Sequence, residues 1–346
     1  MTTNLRLIYR ESSPAGISPY RIVDHQDHEI RWANAFLDAQ HLRSLSSRSV
    51  RSYGYDLLNF ARWWCQRKST QLSRLNESHL LDYVRHQLES LPKPTPQTIN
   101  HRLTVVRCLY QFHFGRELPR GHGSVRSIYT TRSPFGYGRP GHRVGGLRLR
   151  QPRRAIVPLS SEEVSQFWSS FRTYRDLGIT ALMLFNGLRS CEVIGLHLEE
   201  LRLSERQFRV RGKGNKERIL PLSHDTMQIL QCYLETERPC VDSPFVFLCL
   251  KGRKRGHPIT SAGLRSLFRH HRRLTKVTLA NPHRFRHTFG SSMVRSGVSL
   301  PALMHLMGHS HIHTTMLYVS LSPQDVWREY QKAIRNMHKV PLSLTQ

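Results

Sequence analysis

Acidic residues are scarce in this chain of 346 residues: 24 Asp and Glu stand against 52 Lys and Arg, a formal net charge of +28 with 21 histidines counted neutral. So large an excess opposes compaction unless a polyanion offsets it, and phosphates do so by accepting the cations and releasing condensed counterions. Long apolar runs are missing too. None approaches the ~20 residues of a spanning helix, and the charge is spread along the length rather than gathered on one amphipathic segment, so no membrane partner is expected. The opening MTTNLRLIYRESSPAG lacks the apolar stretch of a secretory signal, and the expected location is cytoplasmic. Of six cysteines (65, 108, 191, 232, 240 and 249), none forms the Cys-x-x-Cys pair of zinc ribbons and redox motifs, so reduced thiols are expected. With no glycine-rich nucleotide motif in view, no cofactor is expected and nucleic acid is the leading partner.

What is present organises the chain into two units. From Ser47 to Trp64 the apolar Val50, Tyr53, Leu57, Ala61 and Trp64 recur at helical spacing, with arginines between them. Asn76 is placed to cap a second stripe at Leu80, Val84, Leu88 and Leu91, and Thr95-Pro96 opens a third through Ile99, Leu103, Val106 and Tyr110. Residues 29–118 therefore read as a helical domain, after an N-terminal extension at 1–28. Between Pro119 and Arg154 stand nine arginines, seven glycines and four prolines without one acidic residue, which marks 119–155 as a basic linker with DNA contact expected. From 156 to about 340 a second domain is expected. Ser160-x-x-Glu163 spells a capping box, and an apolar helix runs through Ile179, Leu182, Met183 and Phe185. Phe208 to Val210, the turn Gly212-Lys213-Gly214-Asn215 and Arg218 to Leu222 read as a β-hairpin. The fold class is mainly α with a small β-hairpin or sheet, in two domains.

Four blocks carry residues suited to one chemistry. Asn186-Gly187-Leu188-Arg189-Ser190-Cys191-Glu192 sets an arginine after a glycine turn, with a carboxylate able to orient it. Lys213 stands between two glycines at the hairpin tip. Pro282 at a first helical position makes His283 and Arg286 neighbours on one face. Leu306-Met307-Gly308-His309 ends a helix, and Tyr318 follows nine residues later. The clustered His305, His309, His311 and His313 lack an acidic or cysteine partner at a zinc spacing, and basic surroundings disfavour a dication, so no metal is expected.

In this order the blocks resemble the tyrosine recombinase (phage integrase) family, over most of residues 156–330. The resemblance implies a catalytic set of Arg189, Lys213, His283, Arg286, His309 and the nucleophile Tyr318, with Glu192 in support. No position of the set is substituted. It also implies that residues 29–118 form a core-binding, SAM-like DNA domain. The reaction implied is attack of Tyr318 on a phosphodiester, giving a 3′-phosphotyrosine. Arg189 and Arg286 would clamp the nonbridging oxygens, His283 would take the phenol proton, Lys213 would protonate the leaving 5′-oxygen and His309 would hydrogen-bond the phosphate. Double-stranded DNA at a specific site is the implied partner, with self-association into a synaptic tetramer. The capped apolar tail 322–338 is expected to pack on a neighbouring protomer. Two departures stand out: the 119–154 connection is long, and Phe285, Gly290 and Ser291 replace the family's commoner Leu, Ala and Thr. Two other readings stay open, a topoisomerase-like relaxing enzyme and a DNA-binding protein that does not cut. With about 28 residues before the helical domain, no separate arm-binding domain is expected.

Overall fold

The computed structural model describes residues 4–67, 71–120, 127–131, 141–151, 157–212, 216–309, 311–316, 318, 327, 330–331 and 333–335. The chain divides into two compact units, Met1–Arg153 and Arg154–Gln346, each with its own apolar core. Among the described residues no helix is long and apolar enough to cross a membrane.

The first unit opens on an antiparallel hairpin, β1 (Arg6–Tyr9) with β2 (Tyr20–Val23). Helices α1 (Arg31–Leu42), α2 (Ser47–Trp64), α3 (Glu77–Glu89) and α4 (Pro96–Phe114) follow. The sequence signals for α2 to α4 have direct counterparts. Ser46, Asn76 and Thr95 accept the capping N–H bonds, satisfying donors that a helix start leaves free. Val50, Leu57, Ala61 and Trp64 are buried along α2, and Ile99, Leu103, Val106 and Tyr110 along α4. On α3 the buried face runs through Leu80, Tyr83, Val84 and Gln87. The expected continuation through Leu88 and Leu91 lies exposed: Leu88 falls beside the buried face of Leu80, Tyr83, Val84 and Gln87, and Leu91 follows the end of the helix at Glu89. The segment 4–28, set apart by its sequence as an extension, contributes Leu5 and Ile22 to the same core. A glycine inside α2 makes this possible: a Cβ on Gly54 would stand 2.9 Å from a Leu7 methyl.

The basic connection also holds more order than its composition suggests. Ser127–Thr131 (β3) and Gly141–Gly145 (β4) pair antiparallel. The segment after them is fastened within the first unit: Asn100 and Leu149 exchange amide bonds of 2.9 and 2.8 Å, and Arg107 donates to the Leu147 carbonyl at 3.0 Å while paired with Glu77.

In the second unit α5 (Ser161–Trp168) begins with the capping box of Ser160 and Glu163. Then come α6 (Tyr174–Phe185), α7 (Ser190–Ile194), the antiparallel sheet β5 (Leu201–Arg202), β6 (Gln207–Arg211), β7 (Glu217–Pro221), and α8 (His224–Cys232). Helices α9 (Ser261–Thr275), α10 (Pro282–Arg295), α11 (Leu300–Met307) and α12 (Ile312–Met316) complete it. Phe167, Phe268 and Phe285 pack together in its core, Phe167 stacked on Phe268 and the Phe285 ring tilted against both. A smaller cluster of Phe289, Leu303, Met307 and Tyr318 lies under α10 and α11. Most of the tail 322–338, with its capping segment, falls outside the described residues.

Candidate active site

The turn between α6 and α7 has room only for glycine. Gly187 adopts φ +64°, and a Cβ there would meet the Phe289 ring at 2.4 Å, so both backbone conformation and packing exclude a side chain. The turn ends on Arg189, the cap of α7, whose backbone N–H donates to Glu192 at 2.8 Å. The Arg189 guanidinium is thereby fixed, donating to Glu192 at 2.9 Å and to the Gly308 carbonyl at 3.1 Å.

Glu192 is the hub. Arg218 grips it with two bonds of 3.0 Å, Arg189 with one, and Arg286 stands 3.9 Å away. Burial works against its ionised form, but the Arg218 pairing and the Arg189 contacts hold its carboxyl below the usual carboxylate range. Three guanidinium groups around one carboxylate leave a surplus of two positive charges in a largely dry place. The strain of that surplus is visible at Arg286, whose pKa is pushed down to about 10 by burial and by Arg189.

The three arginines differ in what they have left to offer. Arg218 spends Nε on the Leu306 carbonyl and both Nη atoms on Glu192, and its side chain is 6% exposed. Arg286 donates to the Gly187 and Met307 carbonyls and to His309 Nε2, 2.9 Å away, and is 5% exposed. Arg189 is 30% exposed with two of its five N–H groups engaged. An incoming anion thus meets Arg189 first, with Arg286 beneath.

His309 follows the left-handed Gly308 that ends α11. An arginine can only donate, so His309 Nε2 accepts, and Nδ1–H donates to the buried Thr315 hydroxyl at 2.9 Å. Burial and the nearby Arg286, Arg189 and Arg218 push this imidazole down to about 4, so it is neutral near pH 7. The Tyr318 ring lies parallel to it, 6.2 Å between centroids, and packs over Gly290, where a Cβ would come within 2.9 Å of the ring. The departure at 290 thus has a steric reason: the ring occupies the space an alanine methyl would need. Tyr318 is 7% exposed; burial raises its phenol above 10.0 while the charges of Arg286 and Arg189 pull it back. Its hydroxyl meets His287 Nδ1 at 2.8 Å.

Five of the residues named from sequence, Arg189, Glu192, Arg286, His309 and Tyr318, therefore come together, and two do not join them. Lys213 lies outside the described residues, although the flanking strands pair as expected, with Gly212 N–H donating to the Lys216 carbonyl at 2.8 Å. His283 is exposed in the first turn of α10, its ring without a hydrogen bond to another described residue. Two partners escaped the sequence reading, His287 and Arg218. Arg218 did leave a signal. It shares strand parity with the inward Leu220 and lies on the buried face of β7, a place where a charge needs a partner.

Comparison with known proteins places the chain in a family. The model of the phage integrase family matches residues 158–325, and that of the phage integrase N-terminal SAM-like domain matches residues 34–117. A tyrosine recombinase XerC from Lactobacillus delbrueckii subsp. bulgaricus is 26% identical over 306 residues, 84% of this chain and 94% of its own length. A tyrosine recombinase XerD from Lacticaseibacillus casei is 27% identical over 309 residues, 86% and 95% of the two chains. In fold, the XerH site-specific recombinase bound to palindromic difH substrate superposes with a TM-score of 0.63 at 17% identity, covering 86% of this chain and 84% of that one. The Tn1549 transposon integrase in complex with a circular intermediate DNA gives 0.63 at 18% identity, covering 87% and 99%. With a catalytic unit, a SAM-like unit and this cluster of residues, the chain belongs to the phage integrase family of tyrosine recombinases.

Proposed function

We propose that this enzyme is a site-specific recombinase that cleaves double-stranded DNA with Tyr318 and rejoins it to another strand. The observation that carries the reading is the uncompensated charge around Glu192: three guanidinium groups, one carboxylate and a buried phenol gathered in one place. A phosphodiester supplies the missing negative charge. Arg189 is open to a nonbridging oxygen, and Arg286 would exchange its bond to His309 for one to the phosphate. The anion also offsets the cations that depress His309, so its Nε2 gains a proton and donates to the same phosphate.

In phosphoryl transfer charge spreads over the equatorial oxygens, which fixed guanidinium donors stabilise. Arg218, with its donors spent within the protein, holds Glu192 and through it Arg189. Tyr318 Oη attacks phosphorus in line, the 3′-phosphate becomes linked to the tyrosine, and the 5′-oxygen leaves as a hydroxyl with a proton from Lys213. Attack by another 5′-hydroxyl reverses the steps, and the covalent link preserves the bond energy. The phenol proton departs toward α10, where His283 and His287 stand.

The SAM-like unit, 29–118 on the sequence boundaries, would hold DNA beside the cleavage point, with the arginines of 119–155 on the backbone. A tetramer of protomers on paired sites in the cytoplasm, joined through the tails 322–338, completes the reading. The test uses nicked suicide duplexes tiled across the DNA surrounding the gene, incubated in EDTA without ATP. A denaturation-resistant protein–DNA adduct is expected with the wild type and none with Tyr318→Phe. Tight site-specific binding without an adduct would favour a DNA-binding protein that does not cut, and relaxation of supercoils without paired sites would favour the topoisomerase-like alternative.

A further inference from the structure

We infer that His287, and not His283, accepts the phenol proton of Tyr318 as it attacks; the inference rests on the cleavage reading above. The geometry is direct. His287 Nδ1 lies 2.8 Å from Tyr318 Oη, the two rings 5.6 Å apart and tilted by 48°. His283, one helical turn earlier, is exposed and has no hydrogen bond to Tyr318.

The direction of that bond follows from its surroundings. Tyr318 is 7% exposed, so its O–H needs a protein acceptor. The charged groups that act on the phenol, Arg286 and Arg189, can only donate. The proton therefore points at Nδ1 of His287, which must be the neutral tautomer carrying its hydrogen on Nε2. A neutral ring is what its setting enforces: burial, then His283, Arg284 and Arg286, push its pKa down to about 4.

A neutral imidazole at this distance is able to take the phenol proton. A bound phosphodiester anion counters the arginine charges that depress His287 and raises its basicity at the moment the phenol attacks. The step balances. The Oη–P bond forms and the P–O5′ bond breaks, the phenol proton moves to His287 Nδ1 to give an imidazolium, and the 5′-oxygen takes a proton from the acid of the site. On ligation the departing phenolate recovers its proton from His287.

The test is single-turnover adduct formation on a nicked substrate that the wild type cleaves, in ordinary form and with a 5′-bridging sulfur, whose thiolate leaves without needing a proton. His287→Ala is expected to lower the rate on the order of 10²–10⁴-fold on both substrates with DNA affinity unchanged, the usual span of a general base. His287→Asn, which keeps an acceptor near the position of Nδ1 but cannot hold the proton, is expected to stay comparably slow. Recovery to within a few-fold of wild type in His287→Asn would reduce His287 to a positioning residue and overturn the inference. A defect that vanishes with the sulfur substrate would move it to the leaving group and overturn it equally, as would an unimpaired His287→Ala. Failure of the wild type to form any adduct would strike the cleavage reading instead.

Discussion

At the scale of single residues, the site is a study in suppressed charge. Glu192 is kept ionised by Arg218 and Arg189, while His309 is kept neutral by burial and then by Arg286, Arg189 and Arg218, and His287 by burial and then by His283, Arg284 and Arg286. The sign of the pH dependence follows. Both imidazoles sit at about 4 when folded and near ~6.5 in an unfolded chain. Between those values the unfolded chain binds protons that the native protein does not, so stability falls as pH drops from ~6.5 toward ~4. His271 and His79, also lowered, add to the slope. Glu192 acts further down: its depressed carboxyl stabilises above the unfolded value, and that contribution disappears as pH falls through the folded one. Thermal melts without DNA should show Tm declining from about pH 6.5 to about pH 5, and His309→Asn should flatten the decline. A Tm insensitive to pH over that window would mean that the imidazoles are charged in the folded protein.

At the scale of elements, two glycines decide where Arg189 and Tyr318 can stand. Gly187 lets the chain turn from α6 into α7 against Phe289, and Gly290 lets Tyr318 lie on α10. Gly187→Ala would place a methyl 2.4 Å from the Phe289 ring at a positive φ, and strain of this kind costs about 1–3 kcal/mol. A lower denaturant midpoint and at least tenfold slower adduct formation are expected, because the turn also presents its carbonyl to Arg286. Unchanged stability and rate would show that the turn relaxes freely. At this scale much was legible in advance. The caps at Asn76, Thr95 and Ser160 and the apolar stripes of α2 and α4 are local signals, read from residues three or four apart. The β1–β2 hairpin left no such trace, because its burial depends on Gly54 of α2, about thirty residues beyond β2. The β3–β4 pair was obscured by its second strand: β3 carries the strand formers Ile128, Tyr129, Thr130 and Thr131, but β4 begins and ends on glycine, so only pairing reveals it.

At the scale of the whole molecule, the +28 formal charge sets how the protein meets DNA. Affinity for duplex DNA should fall linearly with salt on logarithmic axes. A protein making ~6–10 phosphate contacts loses ~10³–10⁵ in affinity between ~50 and ~200 mM salt. Anisotropy titrations over that range are expected to give a slope of this size for specific and unrelated duplexes alike. A slope near zero would mean that the basic surplus is neutralised within the protein and not by DNA.

The amino-acid sequence alone determined the mainly helical two-unit plan and the resemblance to the family, because helical period and motif spacing are properties of the chain itself. Only the tertiary structure decided which of the singled-out residues meet. Glu192 and Arg218 stand 26 positions apart, and Arg189 and Gly308 119 apart, so their pairing has no local signature. His283 carried the motif and His287 carries the hydrogen bond, although the two stand one turn apart on the same face of α10. Depth along that face, rather than residue type, fixes which imidazole is half-buried and within reach of the Tyr318 hydroxyl.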